Sequence, residues 1–89
     1  MAAKRLILRG RVQGVGFRAW LVAQAEAVGV DGWVRNRSDG AVEALLSGGT
    51  DAVEELARLC RRGPPLAKVA SIVEDLAEPP EYPGFRSLG

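Results

Sequence analysis

The stretch 10–18 reads GRVQGVGFR, between a strand-like run (Lys4–Val12) and a helix-like run (Phe17–Val28). Its two inner glycines, Gly14 and Gly16, allow backbone conformations that a side chain would forbid. A loop that turns its N–H groups inward at a helix start is a ready anion site. Arg18 adds a planar, permanently charged fork suited to phosphate oxygens. The segment therefore marks a β-to-α switch. It also suggests a small site for a dianionic group, built mostly from backbone.

Working outward, Leu6, Leu8 and Val12 share one face of the first strand by its period of two. Arg5, Arg9 and Arg11 share the other face with Ile7. Phe17, Leu21, Ala25 and Val28 make one stripe of the first helix, with Trp20 beside it. Gly29 reads as the residue just past its end, and Val30 as the hydrophobic contact that follows. Gly32–Asn36 is a second strand, and Arg37-Ser38-Asp39-Gly40 is a turn. Ala41–Ser47 is a third strand, with Val42, Ala44 and Leu46 alternating against Glu43. Thr50 reads as the N-cap of a second helix, with Asp51, Glu54 and Glu55 at its positive end. Val53, Leu56 and Cys60 form its inner stripe, and Gly63-Pro64-Pro65 stops it. Leu66–Leu76 is a fourth strand. Glu78–Gly84, with three prolines, reads as extended and unpaired.

The order is β-α-β-β-α-β, the split βαβ or ferredoxin-like arrangement of the α+β class. It implies a four-stranded antiparallel sheet with two helices on one face. Phe85–Leu88 is left as an optional short fifth strand at the edge. In this topology strands one and two are parallel, with strand three between them. Their C-terminal ends then lie at the same edge of the sheet, roughly 10 Å apart. The glycine loop after strand one and Asn36 at the end of strand two thus face each other across one shallow site.

Composition narrows the function. With 89 residues, one domain spanning 1–89 is expected. No apolar run approaches the ~20 residues of a membrane span. Leu6-Ile7-Leu8 is too short for a signal peptide. A lone Cys60 forms no internal disulfide, which fits the reducing cytoplasm. The net charge of +1 hides an asymmetry: residues 1–37 hold seven Lys/Arg against two Asp/Glu. The basic part contains the glycine loop, which favours an anionic ligand there. The total is too balanced for a typical nucleic-acid protein. The third strand, Ala41–Leu46, also has none of the aromatic residues on which RNA-binding domains of this topology stack bases.

The chain has no His and no Cys/His cluster, so neither a zinc site nor another metal or cofactor is expected. Cys60 reads as a small buried apolar residue, Ser38 has no base in view, and no paired carboxylates suggest general acid–base work. Phosphoryl transfer remains open, because it needs positioning and charge stabilisation more than covalent help. Backbone N–H groups can hold the equatorial oxygens, and Arg18 can bridge two of them. Asn36 can orient a water in line with the phosphorus. A general acid for a departing alkoxide is missing. A carboxylate, whose conjugate acid has a pKa of about 4, leaves without one. The absences therefore favour an acyl phosphate over an alkyl phosphate. Taken singly, each feature has a plain structural explanation. Gly14 and Gly16 could merely serve a turn, Asn36 could form one, Arg18 could be solvated, and Trp20 and Trp33 could be packing residues.

Two segments together, GRVQGVGFR (10–18) and GWVRNRSDGAVEALLSG (32–48), resemble the signatures of acylphosphatases. The resemblance runs on through Gly63-Pro64 and Ala67-Lys68-Val69. It implies a ferredoxin-like, metal-independent monomer. Such a protein hydrolyses an acyl phosphate to a carboxylate and inorganic phosphate, with no nucleic-acid or membrane partner. It also implies that the backbone of Gln13, Gly14, Val15, Gly16, Phe17 and Arg18 binds phosphate, that Arg18 is the catalytic arginine, and that Asn36 positions the water. Acylphosphatase-like domains also occur inside larger carbamoyl-transfer proteins, so a binding module of the same fold is the alternative.

Overall fold

The computed structural model describes residues 1–89 and contains the elements in the expected order. They are β1 (Ala2–Arg11), α1 (Phe17–Val28), β2 (Asp31–Asn36), β3 (Val42–Gly48), α2 (Thr50–Cys60), β4 (Lys68–Leu76) and β5 (Phe85–Leu88). The strands form one sheet in the order β4-β1-β3-β2-β5. β3 runs antiparallel to both β1 and β2, so β1 and β2 are parallel to each other and end at the same edge. The fifth strand is present and changes the sheet type. It pairs with β2 in parallel, from Gly32↔Phe85 to Arg35↔Leu88, so the sheet is mixed.

Local chemistry accounts for the helix ends. Gly29 sits in the left-handed region at the end of α1. The Val30 N–H then reaches back to the Ala25 carbonyl at 2.9 Å. Val30 itself is buried, the hydrophobic closure that this kind of helix end carries. At α2 the cap is one residue earlier than expected. Gly49, in extended conformation, is the N-cap, and Thr50 is already helical with no capping side-chain bond. The Gly49 carbonyl accepts the first helical bond, from Val53 N–H at 2.9 Å. Its φ of −57° and ψ of 138° are open to any residue, so the cap position is set by where the chain turns after β3, and the hydroxyl at position 50 is not used for it.

The core lies between the sheet and the two helices. Leu6, Leu8 and Val12 from the first strand and its extension meet Phe17, Leu21 and Ala25 of α1, and Val53, Leu56 and Cys60 of α2. α1 lies over β2 and β5, and α2 over β1 and β3. Removing each of the Leu, Val and Phe side chains among these from water contributes about 1.5–3 kcal/mol. The uncovered sheet face departs from simple alternation, because β3 is buried on both sides. There Glu43 lies beneath two arginines. Arg5 Nε donates to its Oε2 at 2.8 Å, and Arg35 Nε to its Oε1 at 2.8 Å. Burial alone would push the Glu43 carboxyl up, but the Arg35 and Arg5 guanidiniums hold it below the usual range. A charged residue is thus tolerated in the centre of the sheet because both its oxygens are paired.

Residues 78–84 form no strand, as expected, but they are tied at the end. Gly84 N–H donates to Asp31 Oδ1 at 2.9 Å, and Gly32 N–H donates to the Gly84 carbonyl at 2.9 Å. These bonds align β5 beside β2.

Candidate active site

The chain leaves β1 at Arg11, passes through residues 12–16 and enters α1 at Phe17. Gly14 (φ +74°) and Gly16 (φ +80°) are both left-handed, a conformation that costs other residues roughly 1–2 kcal/mol each. The turn this creates has a chemical consequence. None of the backbone N–H groups of residues 13–19 donates to another group of the chain; the first helical bond runs from Trp20 N–H to the Gly16 carbonyl at 3.0 Å. Unmet donors at a helix N-terminus carry the positive end of its dipole. α1 has no acidic residue in its first turn to offset that charge.

A hollow of about 320 Å³ opens over this turn. Gly14, Gly16, Phe17 and Arg18 line it from the loop and helix start, Asn36 from the end of β2, and Ser87 from β5. The topological expectation therefore holds: the glycine loop and Asn36 come to one site across the width of β3. Arg18 is half-buried and has no Asp or Glu partner; its one bond within the chain runs from Nη1 to the main-chain oxygen of Gly89, at 3.1 Å. The site thus combines a fixed cation, unmet N–H donors and a primary amide, with no acid among its lining residues.

Two of the six expected cradle residues do not line the hollow. Val15 is buried in the core. The Gln13 side chain turns away to the β2–β3 turn, where Nε2 donates to the Arg37 carbonyl at 2.8 Å and to the Ala41 carbonyl at 2.9 Å. Ser87 was not foreseen. Its signal was the period of two with Phe85, whose burial in the core puts Ser87 on the helix-covered face. Using that signal required knowing that β5 pairs beside β2.

The neighbouring turn is held by Asp39. Its Oδ1 accepts the Ala41 N–H at 3.1 Å and its Oδ2 the Arg37 Nη2 at 3.1 Å, with Arg9 Nη2 at 3.3 Å. The Ala41 N–H, then the Arg37 and Arg9 guanidiniums, lower the Asp39 carboxyl from 3.8 to about 2. Cys60 lies in the core, and burial, with a smaller push from Glu74, raises its thiol to about 12. Such a thiol is not a nucleophile at neutral pH. No group of three or more His, Cys, Asp or Glu is arranged to hold a metal ion, and no helix is long and apolar enough to cross a membrane.

Comparison with known proteins agrees with this geometry. The family model for acylphosphatase matches residues 4–87. An acylphosphatase of Acidiphilium cryptum is 65% identical over 85 residues, covering 96% of this chain and 93% of the relative. The crystal structure of acylphosphatase from Bacillus subtilis superposes with a TM-score of 0.94 at 36% identity, covering all of both chains. A phosphate- and nucleotide-bound full-length HypF matches with a TM-score of 0.90 at 28% identity, over 99% of this chain but 12% of that one.

Proposed function

The chain belongs to the acylphosphatase family and hydrolyses the carboxyl–phosphate bond of acyl phosphates, and from that premise we propose how its residues divide the work. The backbone N–H groups of Gln13–Arg18 take the phosphoryl oxygens, and Arg18 bridges two of them. Asn36 accepts a hydrogen bond from a water and aims its oxygen at the phosphorus, opposite the acyl oxygen. The water oxygen forms the new P–O bond as the bond to the acyl oxygen breaks. The electron pair leaves on the carboxylate, and the water proton passes to the phosphate product or to solvent.

One observation carries this assignment: Gly14, Gly16, Phe17, Arg18 and Ala19, whose N–H groups are unmet, line one hollow with Asn36, and the arginine among them has no Asp or Glu partner. Charge developing on the equatorial oxygens meets donors already in place, so no reorganisation is needed as the reaction proceeds. The lack of a general acid in the lining fits a leaving group whose conjugate acid has a pKa of about 4. We read residues 1–89 as one domain acting as a monomer on free acyl phosphates in the cytoplasm. In its support, one continuous core joins both helices to all the central strands.

The test is hydrolysis of a chromogenic acyl phosphate, with a metal chelator present throughout. Arg18→Ala should lose about a thousandfold in kcat, in the range of other phosphoryl-transfer arginines, and should bind inorganic phosphate more weakly. Asn36→Ala should lower kcat while leaving phosphate inhibition nearly unchanged, because water positioning acts in the transition state. Wild-type turnover in Asn36→Ala would remove Asn36 from this role. Phosphate binding without hydrolysis would indicate a binding module instead.

A further inference from the structure

Asn36 and the phosphate loop sit on elements that do not touch in the sheet. β1 and β2 are separated by β3, and Asn36 pairs only with Val42 of that strand. Phosphoryl transfer depends on the line from water through phosphorus to the leaving oxygen, and that line spans the gap. A misplacement of about 1 Å can cost on the order of a hundredfold in rate. Something must therefore fix the spacing between the loop and the β2–β3 hairpin.

The Gln13 side chain crosses this gap. Both hydrogens of Nε2 are used, on the carbonyls of Arg37 (2.8 Å) and Ala41 (2.9 Å). Those two carbonyls stand at the two sides of the turn. Arg37 N–H donates to the Ala41 carbonyl at 2.8 Å, closing the hairpin, and Arg37 directly follows Asn36. A single amide thus grips both sides of the turn while its own backbone begins the cradle. The β1–β3 ladder ends at Leu8↔Val42, short of the turn, and the other side-chain tie from β1 to the turn, Arg9 to Asp39, is an exposed pair at 3.3 Å, a kind that is worth little. The Gln13 bonds are short, partly buried, and local to residue 36.

We propose that Gln13 is a positioning residue: its side-chain amide sets the register between the phosphate cradle and the Asn36 carboxamide. The proposal rests on the assigned role of Asn36 and concerns the side chain of Gln13, not its backbone. Both carbonyls already accept a backbone N–H within the turn, so the two Gln13 bonds are additional ones, and only a donor with two hydrogens at that point reaches both carbonyls at once. Gln13→Leu keeps the bulk and removes both donors. Gln13→Glu keeps the shape and places an oxygen against two carbonyl oxygens. As the acid it regains one donor.

The experiment is a double-mutant cycle of Gln13→Leu with Asn36→Ala, together with the pH profile of Gln13→Glu, each assayed below its melting temperature. Gln13→Leu should lower kcat by about tenfold to a hundredfold with little change in inhibition by inorganic phosphate. In the Asn36→Ala background the same change should cost less than twofold, because the group it positions is gone. The kcat of Gln13→Glu relative to wild type should rise as pH falls from 7 to 5. Equal losses from Gln13→Leu in both backgrounds, or a flat ratio for Gln13→Glu, would overturn the proposal. Should Gln13→Leu fail to fold, the Gln13→Glu ratio decides alone. If Asn36→Ala by itself keeps wild-type turnover, the role assigned to Asn36 fails, a result distinct from additivity in the cycle.

Discussion

Gly16 and Gly29 bracket the same helix in the same backbone conformation, which makes them a matched pair. Gly16 caps α1 at φ 80°, ψ 18°, and Gly29 ends it at φ 72°, ψ 32°. A Cβ added at either position would meet nothing within 4 Å. Alanine at either position therefore pays only the left-handed backbone penalty, about 1–2 kcal/mol. In a domain of this size each kcal/mol lowers Tm by about 4–8 °C. The functional consequences should differ. Gly16 directly precedes Phe17 and Arg18, which line the hollow with unmet N–H groups, and in the proposed cradle a chain that relaxes to negative φ there turns those groups away. Gly29 lies at the opposite end of the helix. Thermal melts and kcat/KM on a chromogenic acyl phosphate should show both G16A and G29A melting lower, with kcat/KM falling by about tenfold or more in G16A and by less than twofold in G29A. A G16A protein with unchanged Tm and unchanged kcat/KM would refute the claim that this conformation is required. Equal activity losses in the two variants would refute its link to the cradle.

Two further outcomes test other parts of the fold. The Asp39 carboxyl is lowered from 3.8 to about 2 in the folded chain, so its stabilising contribution is present above about 3.8 and is lost as pH falls through about 2. Urea midpoints taken from pH 5 down to pH 2 should therefore drop more steeply in the wild type than in Asp39→Asn; parallel profiles would show that the turn does not depend on this charge. The Cys60 thiol, raised to about 12 by burial and then Glu74, stays protonated at pH 8. Iodoacetamide should leave the native protein unlabelled and modify it fully in denaturant, and rapid labelling without denaturant would contradict the buried position of Cys60.

Much of the site was readable before any coordinates. The alternation of Leu6, Leu8 and Val12, the Gly29-Val30 helix end and the Asp39-Gly40 turn are local signals, each set by residues within a few positions of one another. They place the elements, and the element order places Asn36 opposite the glycine loop. The misses involve a choice between near-equivalent local options or a contact far along the chain. Gly49 in place of Thr50 as the α2 cap is a shift of one residue, between two types that both serve well there. Burial of Glu43 required knowing that Arg5 and Arg35, distant in sequence, flank it in the sheet.

The residue types alone pointed to the chemistry proposed for this protein: a backbone anion loop, Arg18 at its end, the amide of Asn36, and no acid beside them to assist a poor leaving group. Tertiary structure decided how those parts are held together. The parallel pairing of β5 with β2 brings Ser87 to the hollow, and the reach of Gln13 across β3 joins the cradle to the Asn36 hairpin. The physical reason is range. Backbone freedom, side-chain charge and periodicity act between neighbours, and so they are written in order along the chain. Strand pairing and side-chain bridges depend on which distant segments the burial of a common core brings within hydrogen-bonding distance.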